Sequence, residues 1–184
     1  MKLETERLVL RPFEQHDHAA YAAINADPMV MRYYPALLTR AQSDASILRS
    51  QAGLTNLGFH FLCAELKSTG VCIGTIGIAK FSDEIRTAIP SQPEVEIGWR
   101  FHKDYWGIGL APEGAAACLR HAWERLNLSK IVAVTALVNT PSRRVMEKIG
   151  MCRSEPDDFD HPLVERGHPL RPHILYRICK PDLF

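Results

Sequence analysis

The chain has 184 residues, the length of one ordinary domain, and at 46% hydrophobic and 23% charged residues it can bury a real core. A net charge of +1 supplies no basic field for nucleic acid or an anionic membrane, and no apolar run is long enough to span a bilayer. The charged opening Met1–Arg7 has no apolar centre and is read as no signal peptide, and the odd set Cys63, Cys72, Cys118, Cys152 and Cys179, without Cys-x-x-Cys, reads as reduced, buried thiols of a cytoplasmic protein.

In chain order, Arg7 to Pro12 predicts a strand with Leu8 and Leu10 on one face. Glu14 to Asn25 predicts a short helix ended by Asp27-Pro28. Met29 to Leu38 is aromatic and irregular around Tyr33-Tyr34-Pro35. Thr39 is placed to cap a helix from Arg40 to about Asn56, closed by Gly58. Phe59–Leu66 and Val71–Phe81, joined by Lys67-Ser68-Thr69-Gly70, predict a hairpin. Gly74 and Gly77 permit a bulge or a close backbone approach. Ser82 to Pro93 reads as a polar loop.

Glu94 to Phe101 alternates, with Glu94, Glu96 and Gly98 on one face and Val95, Ile97 and Trp99 on the other. Tyr105-Trp106-Gly107-Ile108-Gly109-Leu110-Ala111 follows. Then comes a helix face formed by Ala111, Ala115, Cys118, Ala122 and Leu126. Lys130 to Val138 is apolar on both faces, as in a central strand covered by helices. Thr140-Pro141 opens another helix with Thr140 as its cap, and Gly150 ends it. Arg153 to Pro172 shows no periodicity and reads as a long loop; His173 to Cys179 is a last strand. The order predicts a single α/β domain over 1–184, its core from about residue 5 to about 180.

Strand, two-glycine turn and helix place uncovered amides at a helix N-terminus, where partial positive charge binds phosphate without a cationic side chain. With Glu-Ile-Gly-Trp before it, the Trp-Gly-x-Gly-Leu-Ala turn resembles the acetyl-CoA motif of the GNAT N-acetyltransferase superfamily. Together with Glu4–Pro12 and Asn139–Gly150 it is similar to the branch that includes ribosomal-protein alanine N-acetyltransferases. The resemblance implies a mixed, mostly antiparallel sheet flanked by helices. It also implies acetyl-CoA as co-substrate and direct transfer of acetyl to a primary amine, either a protein N-terminus or a small amine. By matching position, the amides of Gly107, Ile108, Gly109, Leu110 and Ala111 hold the CoA pyrophosphate. The strand segment Trp99, Arg100 and Phe101 meets the pantetheine arm, and Asn139 lies beside it. Ser142 stands near the sulfur as proton donor to the leaving thiolate. Asp104 departs from the Gln or Arg that the family often has there; an acid cannot aid an anion, so help to the turn comes from backbone amides, with Lys103 a candidate addition.

An amine with a pKa of about 10 must lose a proton before it attacks, so a general base is required. Glu96 matches the family position; Glu94 shares its face and stays open as an alternative. Asp158 or Asp160 in the tail loop could meet a cationic acceptor, and Tyr33 and Tyr34 could wall its site. His161, His168 and His173 lack metal-motif spacing, so no metal is expected. No cysteine has a nucleophile setting with His, which argues against a covalent acyl-enzyme. Two rivals remain: an acyl-CoA sensor of the same fold without turnover, and a nucleotide-binding α/β protein. The second lacks a Walker lysine after Gly109. Nothing in the sequence separates monomer from homodimer.

Overall fold

The computed structural model describes residues 1–181. Its strands are β1 (Leu3–Glu4), β2 (Leu8–Arg11), β3 (Phe61–Leu66), β4 (Val71–Lys80), β5 (Val95–Phe101), β6 (Lys130–Ala136), β7 (Cys152–Arg153), β8 (Phe159–Asp160) and β9 (Pro172–Cys179). Its helices are α1 (Asp17–Ala26), α2 (Arg40–Leu57), α3 (Asp83–Ala88), α4 (Leu110–Glu124) and α5 (Thr140–Lys148). The strands form one sheet in the order β1-β2-β3-β4-β5-β6-β9-β7, with β8 also on β9.

Every pairing is antiparallel except β5 with β6. That parallel pairing registers only at Glu96 and Val132. By contrast β4 and β5 stay in register from Gly74–Phe101 to Lys80–Val95, and β6 and β9 from Lys130–Cys179 to Ala136–His173. Beyond Glu96 and Val132 the two central strands therefore part and leave a crevice. Parallel strands end on the same side of a sheet, so α4 and α5, which follow β5 and β6, both begin at the open end. Two positive helix termini converge there.

One face of the sheet (Leu8, Leu10, Ile76, Ile97, Ile131) packs on Leu110, Ala115, Cys118 and Ala122 of α4. The other carries Cys63 and Cys72 against Tyr21 and Ile47 of α1 and α2. Farther along, that second face carries Val132, Leu175, Phe81, Ile89 and Phe159. Gly77 lets β3 and β4 close up: a Cβ there would lie 2.5 Å from the His60 carbonyl oxygen.

The α2 reading is matched at both ends. Thr39 and Gln42 form a reciprocal capping box, and Gly58 ends the helix at φ 80°. Three readings need correction. The Ser82–Pro93 segment contains α3, capped by the Ser82 hydroxyl; six residues are too few to show a helical period. Residues 153–172 are tied down by β7, a 3-10 turn at Glu155–Asp157 and β8, each too short for a pattern. Cys63, Cys72 and Cys118 are buried, but Cys152 and Cys179 are exposed. They stand at the rim, at the ends of β7 and β9, where apolar neighbours in sequence do not become a core.

Candidate active site

The turn between β5 and α4 is built by backbone conformation. Gly107 and Gly109 sit at φ 78° and 86°, the left-handed region that costs other residues about 1–2 kcal/mol. Gly109 is the N-cap of α4, and no side chain caps the helix. The main-chain N–H groups of Gly107, Ile108, Gly109, Leu110 and Ala111 have no hydrogen-bond partner among the described residues; the first helical bond runs from Glu113 N–H to the Gly109 carbonyl. Five such donors at a helix N-terminus form an anion site. Lys103 does not contribute, because its ammonium pairs with Asp27 at 2.7 Å.

The sequence did not signal what holds this turn. Glu113, in the first turn of α4, accepts hydrogen bonds from the Thr5 hydroxyl (2.5 Å), the Arg7 main-chain N–H (2.8 Å) and Arg7 Nε (2.7 Å). Arg7 Nη1 donates to the Ile108 carbonyl at 2.8 Å. A carbonyl drawn toward Arg7 turns the following Gly109 N–H the opposite way, toward the open side. Burial would raise the Glu113 carboxyl, but the Thr5 hydroxyl bond, with the Arg7 bonds, holds it below the usual carboxylate range. Thus the Thr5-Glu6-Arg7 block positions the turn although 100 residues separate them.

Along β5, Phe81 N–H donates to Glu94 C=O and His102 N–H to Ile73 C=O, so the main chain of Glu94, Glu96, Gly98, Arg100 and His102 points at β4. The intervening residues of an antiparallel ladder point away from that neighbour. Trp99 and Phe101 therefore turn their main-chain groups into the crevice. The Phe101 carbonyl is taken by Trp106 Nε1–H at 2.9 Å, which leaves its N–H. Trp99 keeps both groups. Arg100, between them, has its main chain directed to Thr75 and its guanidinium on the opposite side, 2.6 Å from Asn25 Oδ1 and over the Tyr34 ring at 4.2 Å. Tyr34 thus clamps the 27–38 segment on the sheet; Tyr33 is stacked by Arg32, which also lies over Trp106.

Glu96 lies where the strands separate, between Ala79 of β4 and Val132 of β6. The Phe61 ring covers the next position on its face, 3.1 Å from where a Gly98 Cβ would sit. Among the described residues Glu96 has no ion-pair partner, and burial alone pushes its carboxyl up to about 7. Glu94 shares the face but is exposed and lies outside the strand.

Across the crevice, Asn139 rather than Thr140 caps α5. Its Oδ1 accepts the Ser142 N–H at 3.3 Å and its Nδ2 donates to Thr135 Oγ1 at 2.9 Å. One Nδ2 hydrogen remains. Ser142 stands in the first turn of α5, half-buried, its hydroxyl unengaged among the described residues. Asp158 pairs with Arg153 through one oxygen, its other lying buried without a partner among the described residues, and Asp160 pairs with Arg171 at 3.0 Å. The one close group of potential metal ligands among the described residues is Asp17, Cys63 and Cys72. Both Asp17 oxygens are held by Arg11, at 2.6 and 3.0 Å, so the carboxylate is already neutralised by a cation.

A family model described as an acetyltransferase (GNAT) domain matches residues 7–152. The chain belongs to this family. GNAT membership makes it an acetyl-CoA-dependent N-acetyltransferase. It is 32% identical over 182 residues to the uncharacterized N-acetyltransferase YnaD of Bacillus subtilis (strain 168), with 99% of each chain covered. An acetyltransferase structure from Agrobacterium tumefaciens str. C58 is 30% identical at a TM-score of 0.77, covering 98% of this chain and 95% of that one. RimJ of Mycobacterium smegmatis, solved with CoA-disulfide, shares the fold at 21% identity and a TM-score of 0.72, covering 97% of this chain and 86% of its own. The GNAT sheet, mostly antiparallel and flanked by helices, is what the resemblance implied. No described helix is long and apolar enough to cross a membrane.

Proposed function

We propose that this GNAT enzyme moves acetyl from CoA to a primary amine, of a protein N-terminus or a small molecule, by direct attack in a ternary complex. The observation that carries the reading is the junction of two features at one crevice. Five unpartnered amides border its open end, and a carboxyl of raised pKa lies where the strands divide. The pyrophosphate takes the amides from Gly107 to Ala111. The pantetheine arm runs along the Trp99 and Phe101 main chain as an added strand, with the remaining Asn139 Nδ2 hydrogen on the other wall. Arg100 keeps β5 and the 27–38 segment in place.

Glu96 accepts the proton of the incoming ammonium, directly or through water. A base with a pKa of about 7 is ionised in useful fraction at neutral pH and still basic enough to act. The amine nitrogen then attacks the thioester carbonyl. The Trp99 N–H is the donor available to the developing oxyanion. The C–N bond forms, the C–S bond breaks, the Ser142 hydroxyl gives its proton to the departing thiolate, and the second proton shed by the nitrogen returns through water to the Ser142 oxygen. Glu96 is the stronger candidate for the base over Glu94, which is exposed and lies outside the strand.

The test is CoA thiol release with purified protein, acetyl-CoA and a panel of amines and peptides. Acceptor-dependent release that Glu96→Gln abolishes, with acetyl-CoA binding retained, is the expected result. Tight acetyl-CoA binding with no acceptor-dependent thiol would instead identify a sensor.

A further inference from the structure

Two histidines outside the mechanism, His161 and His173, stand together on the sheet. His173 lies directly opposite Ala136 in the β6–β9 register. Residues opposite one another share a sheet face, so Glu96, Val132 and Arg177 stand on one face, and so do Ala136 and His173, four positions along their strands. Ala136 is the last residue of β6, at the open end of the crevice. His173 therefore stands one strand away from the crevice, on the face that Glu96 occupies. His161 joins it from the tail loop, its ring centroid 4.7 Å from that of His173, with Phe159 5.6 Å from His173.

Main-chain contacts fix the two tautomers. The Leu163 N–H donates to His161 Nδ1 at 3.3 Å, so the neutral ring carries its proton on Nε2. His173 Nδ1 faces the Arg171 carbonyl at 3.1 Å and must donate, which leaves its Nε2 bare. Neither Nε2 has a partner among the described residues, and neither is sealed from the surface. Burial lowers both pKa values. Glu84 of α3 opposes the shift at His161 and Arg171 adds to it, while at His173 the value falls to about 4. Both rings are uncharged at neutral pH. Two uncharged rings, one offering an N–H and the other a bare nitrogen, are suited to recognition.

We infer that His161 Nε2–H and His173 Nε2 form an uncharged donor–acceptor pair that reads a carboxamide or hydroxyl on the acceptor. A group that both accepts and donates satisfies both rings. A carboxylate cannot donate to the bare His173 nitrogen and leaves it unpaired, at a cost in affinity. The acceptor class is then an amine bearing such a neutral group some bonds away. The inference rests on the transferase reading above.

The test is a ladder of probes: 3-aminopropanamide, 4-aminobutanamide and 6-aminohexanamide, each against its carboxylate counterpart, in the CoA-release assay. At one length the amide should exceed the acid about tenfold in kcat/KM. His161→Phe and His173→Phe should erase that ratio, and His173→Gln, which keeps an acceptor, should retain part of it. Equal use of amide and acid by the wild type overturns the inference, as does an equal loss of kcat for all probes in the variants. Absence of CoA release with any amine overturns the transferase reading instead. The imidazole 15N shifts of the CoA-bound protein then decide: movement of both Nε2 signals on adding 6-aminohexanamide supports the pair, and no movement refutes it.

Discussion

The two sides of the crevice are made of different material. The donor side is main chain: five amides, a pair of left-handed glycines and the edge of β5. Its left-handed bends are local, and Arg7, held by Glu113, positions them from a distant part of the chain. The proposed acceptor side is side chain: Glu96 of β5 and the His161–His173 pair of the tail, on one face of the sheet. A backbone site recognises what all substrates share, and a side-chain site can differ from one relative to the next. The difference predicts that damage to one side moves the parameters of acetyl-CoA and damage to the other moves those of the amine.

The largest effect should come from Glu96→Gln. Loss of a general base lowers kcat by about a hundred- to ten-thousandfold while the Kd of acetyl-CoA holds. In the wild type, kcat/KM should rise with pH to a plateau, with an apparent pKa of about 7, as Glu96 loses its proton. The variant should lack that limb. A variant that retains it places the base elsewhere, Glu94 first.

On the donor side, Gly109→Val forces a branched residue into the left-handed region. At about 1–2 kcal/mol of strain, the Kd of acetyl-CoA by calorimetry should rise about five- to thirtyfold. Arg7→Met releases the Ile108 carbonyl and should weaken acetyl-CoA by about two- to tenfold. S-acetylpantetheine, which has no diphosphate, should be unaffected by Arg7→Met. Equal weakening of both donors would mean that Arg7 holds the fold rather than the turn.

Stability separates the sides again. Burial raises the folded pKa of Glu96 above that of an unfolded glutamate, so the folded chain keeps a proton that the unfolded chain has released. Stability is lost as pH rises from the unfolded value through about 7. Glu96→Gln should therefore raise Tm at pH 8 relative to wild type and change it little below the unfolded value. The smallest effect is expected at Ser142→Ala, about threefold in kcat, since a thiolate of a thiol with pKa about 8.5 leaves adequately without an acid. No change at all would remove Ser142 from the chemistry.

This division also explains what the sequence disclosed. The donor turn is a local object, so Trp106 to Ala111 could be read directly, as could the strand before it and the capping box of α2. Glu96 was legible as a position, but its lone burial beside Val132 depends on where β6 comes to lie. Arg7, Glu113 and the histidine pair were not legible. Their partners are distant in sequence, and no periodicity encodes which carbonyl a guanidinium will find. Asn139 was misjudged against Thr140 because both types cap helices and one residue of shift is invisible without dihedrals.

The central claim is that uncovered amides take the diphosphate of CoA. It is tested most directly by titrating 15N-labelled protein with CoA and following the main-chain N–H signals. The largest shifts should fall on Gly107, Ile108, Gly109, Leu110 and Ala111, with Trp99 and Phe101 next. Saturable binding that leaves those signals in place and moves others would contradict it.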